Sequence, residues 1–152
     1  MSREAEDLNR RLLRARDAMD RAYPEPLNVR TVAAVAHVSP AHFIRSFRAV
    51  FGETPHRYLQ RRRVERSMFL LRETKRSVTD ICFDVGFTSL GTFSRTFRQI
   101  VGETPSAYRH GHGPIVAPHC VQLMAMRPRM AAGEIARSSS FGEAAPALRA
   151  LG

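Results

Sequence analysis

The sequence is poor in the residues that secreted and membrane proteins need. Its 152 residues contain no tryptophan, two cysteines and a single lysine, Lys75. Two cysteines form no disulfide framework, so a reducing cytoplasm is the simpler expectation. The first eleven residues, MSREAEDLNRR, lack the apolar core of a secretory signal. No apolar run approaches the ~20 residues that span a bilayer, so no membrane partner is expected.

Motifs that carry catalysis are also missing. The sequence has no glycine-rich phosphate loop, no paired carboxylates on one helix face and no nucleophile motif, so neither an enzyme nor a cofactor is predicted. His110, His112, His119 and Cys120 lie close together in sequence. Their spacing matches no closed zinc site, and we predict a polar tail there without a metal. Cys82 lies in an apolar-periodic segment and is expected in the core.

Arginine dominates what is present. Lys+Arg number 24 against 14 Asp+Glu, for a formal charge of +10 and a pI near 11.2. A pI this high is typical of nucleic-acid binders, although membrane-surface and heparin binders share it. Arginine favours bidentate recognition of phosphate and guanine, but a high-GC coding bias gives the same enrichment. Composition alone therefore leaves the partner open.

One stretch occurs twice. Ser39–Tyr58 reads SPAHFIRSFRAVFGETPHRY, and Ser89–Tyr108, fifty residues later, reads SLGTFSRTFRQIVGETPSAY. The tetrapeptide Gly-Glu-Thr-Pro is identical in both. Two copies are too few for a solenoid, so the repeat indicates one small module used twice.

Each copy predicts a helix-turn-helix. A short apolar helix is followed by a tight turn, one residue longer in the second copy, and by a helix that a serine caps, Ser39 or Ser89. Gly52 is expected to end the first of these capped helices. The fold class is all-α, with two helix-turn-helix units joined by a long central helix. We predict helices at about 7–22, 29–36, 40–50, 56–73, 78–85, 90–101 and 105–109.

Helical periodicity predicts the core. The residues expected to be buried are Leu8, Leu12, Ala15 and Met19; Val32, Ala33 and Ala36; Phe43, Phe47 and Val50; Tyr58, Leu59, Val64, Ser67, Leu70 and Leu71; Ile81, Cys82 and Val85; and Phe93, Phe97 and Ile100. Arg61, Arg62, Arg63 and Arg66 are expected to form a basic outer side of the central helix. That side is either a solvated face or a set of phosphate contacts, and the sequence leaves both open.

The residues Gly86–Arg109, GFTSLGTFSRTFRQIVGETPSAYR, are similar to a long and specific motif of a known family. Over about residues 8 to 110 the chain resembles the AraC/XylS family of bacterial transcription regulators. The first copy, LNVRTVAAVAHVSPAHFIRSF, matches the family's first motif. The resemblance implies a seven-helix domain whose two recognition helices enter successive major-groove segments of double-stranded DNA, about 34 Å apart. The domain would bind an asymmetric site as a monomer, as in the short members that lack an effector domain.

The resemblance also implies roles for individual residues. Arg45 and Arg95 are the strongest candidates for base contacts, because arginine reads guanine in a bidentate way. The implied base-reading set is Ala41, His42, Ile44, Arg45, Leu90, Gly91, Thr92, Ser94 and Arg95. The implied phosphate contacts are Ser39, Arg48, Ser89 and Arg98, which set the register without reading sequence. With Leu90 and Gly91, the second helix offers fewer hydrogen bonds, so shape contacts would take a larger share there.

The sequence predicts a DNA-binding domain at residues 1–110 and a mostly irregular tail at 111–152. The alternative is a protein-interaction module that acts through the helical bundle or through the apolar tail segment 121–126. RNA polymerase is a further partner implied by the family, at a surface that the sequence does not locate. RNA is a weaker alternative, because a recognition helix fits the B-form major groove better than the deep, narrow A-form groove.

Overall fold

The computed structural model describes residues 2–114, and this part of the chain is all-α. Seven helices follow one another without an intervening strand in the described part: α1 Arg3–Arg21, α2 Val29–Val35, α3 Pro40–Phe51, α4 Pro55–Glu73, α5 Val78–Asp84, α6 Leu90–Val101 and α7 Pro105–Gly111. The predicted fold class and all seven helices are confirmed. The predictions for the apolar segment 121–126, for His119 and for Cys120 lie outside the described residues.

Side-chain caps decide where the helices begin. The hydroxyl oxygens of Ser39, Thr54, Ser77 and Ser89 each accept a hydrogen bond from a backbone N–H in the first turn of the helix that follows. Helix α1 begins earlier than the predicted residue 7, because Ser2 accepts a bond from the Ala5 N–H at 3.2 Å. Glu4 and Glu6 in its first turn add favourable charge at the positive end of the helix dipole.

The helices enclose two apolar cores, and α4 takes part in both. The first core combines α1, α2, α3 and the N-terminal half of α4 around Leu12, Phe43, Phe47 and Leu59. The second combines α5, α6, α7 and the C-terminal half of α4 around Val64, Leu71, Ile81, Phe93 and Phe97. Because α4 is long enough to serve both cores, it joins the two helix-turn-helix units.

The sequence repeat is a structural repeat in its aromatic packing. In the first unit the ring centroids of Phe43 and Phe47 are 5.5 Å apart, and those of Phe47 and Tyr58 are 5.6 Å apart. In the second unit the corresponding distances are 5.7 Å for Phe93 and Phe97, and 5.6 Å for Phe97 and Tyr108. These tilted and edge-to-face contacts are favourable geometries for aromatic pairs. Helices α3 and α6 therefore pack on their cores through equivalent sets of three aromatic rings.

One residue expected in the core, Val50, is exposed, and four others are only partly buried: Leu8, Val32, Leu70 and Ile100. Val50 is 44% exposed, although it lies at helical spacing from Phe43 and Phe47. Phe51 takes its place, since the Phe51 ring lies 4.5 Å from the Phe47 ring and fills the end of the core. Leu70 is only partly buried beside the second core, because Leu71 holds the central position.

No helix within residues 2–114 combines the length and the apolar character that a membrane crossing requires.

The difference in burial between Phe97 on α6 and Val50 on α3 gives a stability test. Phe97→Ala removes a fully buried ring, and we expect a loss of ~3–5 kcal/mol in the free energy of unfolding. Val50→Ala removes an exposed side chain and should change that free energy by less than ~0.5 kcal/mol. Chemical denaturation of both variants measures the difference. Equal losses would contradict the assignment of these residues to core and surface.

Candidate nucleic-acid interface

Helix α3 presents one face to solvent. Ser39 caps the helix through a 3.3 Å bond from the His42 N–H, Pro40 occupies its first turn, and Gly52 ends it in the left-handed conformation with φ 79°. With Phe43 and Phe47 anchored in the core, the remaining face is exposed. All the residues that the sequence assigns to it are exposed: Ser39, Ala41, His42, Ile44, Arg45 and Arg48.

Helix α6 repeats this arrangement with different chemistry at its start. Ser89 accepts a bond from the Thr92 N–H at 3.2 Å and donates its own hydroxyl proton to Thr92 Oγ1 at 2.8 Å. The Thr92 hydroxyl proton stays available, whereas the Ser89 proton is already used. The exposed predicted residues are Ser89, Leu90, Gly91, Thr92, Arg95 and Arg98, and Ser94 is partly buried.

The arginines of these two helices are the free positive charges of the interface. Arg45 and Arg48 on α3, and Arg95 and Arg98 on α6, are exposed, and their side chains hold no hydrogen bond or ion pair within residues 2–114. Neither helix contains an aspartate or a glutamate. Each helix therefore offers two unneutralised guanidinium groups, which suit phosphate oxygens and the acceptor edge of guanine.

Three consecutive arginines of α4, at positions 61 to 63, are bound within the protein instead. Arg61 binds Glu53 and Glu65 at 2.6 Å each, and Arg62 binds Asp20 at 3.1 Å and Glu65 at 2.7 Å. Their hydrogen bonds and charge attraction to these carboxylates outweigh desolvation, so the pKa values of both guanidinium groups are raised. Arg61 and Arg62 are partly exposed, and neighbouring acids neutralise their charge, so they are not free cations like the arginines of α3 and α6.

Arg63 does not belong to an outer side at all, and that expectation is wrong. It is 8% exposed, and its Nε and Nη2 donate to the backbone carbonyls of Tyr23 at 2.7 Å and Glu25 at 2.6 Å. Burial lowers the pKa of this guanidinium. The sequence contains a signal for it: Arg63 comes four residues after Leu59 and four before Ser67, on the buried stripe of α4.

Asp20, in the last turn of α1, also links α1 to α4. Its carboxylate accepts the Tyr58 hydroxyl at 2.8 Å as well as the Arg62 guanidinium. Burial, together with the bond to Asp20, raises the pKa of the Tyr58 hydroxyl, which keeps it a neutral donor. These partly buried contacts link α1 to α4.

The described residues also bear on three further features: a metal site, Cys82 and a groove lined by phenylalanines. Within residues 2–114 no cluster of three His, Cys, Asp or Glu side chains could hold a metal ion. Cys82 is fully buried, and burial raises the pKa of its thiol. Phe43, Phe47, Phe93 and Phe97 are also fully buried, so they line no docking groove on the bundle.

Comparison with known proteins gives matches over the same residues. A model of the helix-turn-helix domain family matches residues 32–111. The regulatory protein SoxS of Salmonella typhimurium strain LT2 is 39% identical over 92 residues, covering 60% of this chain and 86% of SoxS. The transcriptional activator RhaS of Enterobacter sp. strain 638 is 39% identical over 72 residues, 47% of this chain and 26% of RhaS. These relatives give no support to a protein-interaction module.

Solved structures share the fold. The DNA-binding domain of the global transcriptional factor AdpA, solved in complex with a target DNA, aligns with a TM-score of 0.63 and 31% identity over 66% of this chain and 91% of that chain. A transcriptional regulator from Chromobacterium violaceum with an AraC-type DNA-binding domain aligns with a TM-score of 0.63 and 30% identity, covering 67% and 91%.

The cap of α6 can be tested without a ligand. Ser89→Ala removes both the acceptor for the Thr92 N–H and the donor to the Thr92 hydroxyl. We expect the free energy of unfolding to fall by ~1 kcal/mol, a typical value for a lost N-cap. Ser106→Ala, an exposed serine inside α7, is the control and should change it by less than ~0.5 kcal/mol. Thermal denaturation measures both variants, and equal stability of the two would contradict the capping role of Ser89.

Proposed function

The chain belongs to the AraC-type helix-turn-helix family of DNA-binding transcription regulators, and from that premise we propose that it reads double-stranded DNA with both recognition helices at once. One observation carries the proposal: α3 and α6 each expose two unpaired arginines on a face that has no acidic residue. Two such helices in one chain suit successive major-groove segments about 34 Å apart.

We assign base reading to the first two turns of each helix. Arg45 and Arg95 would bind guanine O6 and N7, and Ile44 and Leu90, exposed by 39% and 40%, would contact thymine methyl groups. Thr92 would donate its free hydroxyl proton to an acceptor. The full proposed set is Ala41, His42, Ile44, Arg45, Leu90, Gly91, Thr92, Ser94 and Arg95.

Phosphate contacts would come from the flanks of the same helices. Arg48 and Arg98 lie further along α3 and α6 and would bind the backbone, while the N-termini at Ser39 and Ser89 favour anionic oxygens. Ser39 has a hydroxyl proton to give, but Ser89 would first have to break its bond to Thr92. We therefore propose stronger sequence reading by α3 and a larger share of shape readout by α6.

The two faces differ, which sets the symmetry of the target. His42 and Ile44 on α3 correspond to Thr92 and Ser94 on α6. Because unlike helices read unlike sequences, the proposed site is asymmetric and is bound by a monomer. The proposed division of the chain keeps residues 1–110 as this DNA-binding domain and leaves 111–152 as a separate tail. RNA polymerase is the second proposed partner, no cofactor or catalytic role is proposed, and such a regulator would act in the cytoplasm.

Selection of duplexes from a random library tests the proposal, followed by fluorescence anisotropy of the selected duplex at increasing salt. We expect a two-part asymmetric motif whose parts are one helical turn apart, and an affinity that falls steeply with salt. A motif for one part alone would leave α6 as a backbone contact. Absence of enrichment together with salt-independent binding would refute the proposed function.

The proposed roles of Arg95 and Arg48 can be distinguished by comparing binding to the selected duplex with binding to unrelated DNA. Arg95→Ala should weaken binding by ~1–3 kcal/mol on the selected sequence and little on unrelated DNA, because base contacts are lost. Arg48→Ala should weaken binding to both duplexes alike, because a phosphate contact is lost. Anisotropy titrations of both variants on both duplexes measure this. An equal loss for Arg95→Ala on all sequences would remove it from the base-reading set.

The salt dependence of binding distinguishes free from neutralised arginines. Arg48→Ala should reduce the slope of log affinity against log salt by about 1, because one phosphate contact is lost. Arg61→Ala should leave the slope unchanged, since Glu53 and Glu65 already neutralise Arg61. Titrations at four salt concentrations give both slopes. A reduced slope for Arg61→Ala would return α4 to the interface.

A further inference from the structure

The two halves of the protein meet at a second place besides α4. Residues 22–28 connect α1 to α2 in the first half, and Gly86 and Phe87 form the turn between α5 and α6 in the second half. Arg63 lies between them. We call the contact of Tyr23, Pro24, Arg63, Gly86 and Phe87 the joint.

Arg63 contacts both sides of the joint. Its guanidinium donates to the Tyr23 and Glu25 carbonyls of the first half, and its Cζ lies 5.9 Å from the centre of the Phe87 ring in the second. Two donors in a planar group fix the connecting segment in direction as well as in distance. Arg63 is a buried charge on the central helix whose described hydrogen bonds all go to backbone carbonyls, as its near-complete burial requires.

Gly86 shows how closely the two sides approach. A Cβ added there would lie 2.6 Å from the Pro24 carbonyl oxygen and 2.9 Å from Arg63 Nε. Gly86 also has φ +101°, a conformation that favours glycine. By contrast, a Cβ added at Gly102, which follows the C-terminus of α6, would have no atom within 4 Å. The turn of the second unit therefore packs directly on the segment that leads into the first.

We infer that Arg63 is a positioning residue that sets the phase between α3 and α6, and with it the spacing of the two half-sites that the protein accepts. Among the closely packed helix pairs within residues 2–114, α4 is the one helix that the halves share, and a long helix can curve along its length. The joint removes this freedom. A change of one base pair moves a half-site by about 3.4 Å and turns it by about a tenth of a helical turn.

This inference rests on the proposed function, but its first test needs no DNA. Spin labels at Ala49→Cys and Gln99→Cys, exposed and equivalent positions on α3 and α6, report the distance between the recognition helices. Cys120→Ser removes the second cysteine, and Cys82 is buried. We expect a narrow distance distribution for the parent protein and a broad one for Arg63→Leu. An unchanged distribution in Arg63→Leu would overturn the inference whether or not the protein binds DNA.

Arg109 provides a matched control. It donates to two backbone carbonyls, of Leu71 at 3.0 Å and Thr74 at 3.4 Å, but all three residues belong to the second half. Arg109→Leu removes a bond of the same kind without touching the joint. Its distance distribution should stay as narrow as that of the parent, even if the variant is less stable. Broadening of equal size in both variants would show a general loss of stability and would count against the joint.

The second test uses the selected duplex with one base pair added to or removed from the spacer. We expect the parent and Arg109→Leu to bind the altered duplexes at least tenfold more weakly than the original. For Arg63→Leu the ratio of the affinity for the selected duplex to that for the altered duplexes should fall to about threefold or less. The variant should also bind the selected duplex more weakly than the parent does. Arg63→Lys, which keeps the charge but not the fork, and Gly86→Ala should shift the ratio in the same direction if Arg63→Leu folds poorly. A preserved ratio in all three variants would overturn the inference, as would a parent protein that binds all spacings equally.

Discussion

The packing of α4 into two cores is the constraint on which the rest of the structure depends. Leu59 in its N-terminal half belongs to the first core, and Val64 and Leu71 belong to the second. Each helix-turn-helix unit is too small to bury its own apolar face, because its short first helix contributes few large side chains. Both units therefore take part of their core from one shared helix. This sharing turns two marginal modules into one seven-helix domain.

The same helix explains how the positive charge is distributed. Arg61, Arg62 and Arg63 on α4 are bound to Asp20, Glu53, Glu65 or backbone carbonyls, so these three acidic residues serve internal contacts. The arginines on α3 and α6 keep their charge for a partner. Net charge alone does not show this division, because a paired and an unpaired arginine count equally in the composition. An interface of four free guanidinium groups on two acid-free helices is a sharper description of a DNA-binding surface than a charge of +10.

The repeat is conserved in its interior contacts and altered at its surface. The three-ring packing, the serine cap and the left-handed glycine occur in both units at nearly the same distances. The turns differ, since His37 takes a positive φ where the second unit has Gly86. At Gly86 the second turn is pressed against the Pro24 carbonyl of the other half, which is why glycine is needed there. The outer faces differ as well, and with them the sequences that the two helices can read.

Local sequence determined the helices, their caps, the repeat and most of the core, because caps and helical periodicity act over a few residues. It also indicated the outer faces of α3 and α6, with Val50 as the exception, since Phe43, Phe47, Phe93 and Phe97 orient both helices. The choice between Val50 and Phe51 and the partners of Arg62 and Arg63 came from tertiary structure, although periodicity already places Arg63 on the buried stripe of α4. Asp20, which binds Arg62, and the Tyr23 carbonyl, which binds Arg63, lie about forty residues away in sequence. Periodicity shows which side of a helix a residue takes, but the fold decides what meets it there.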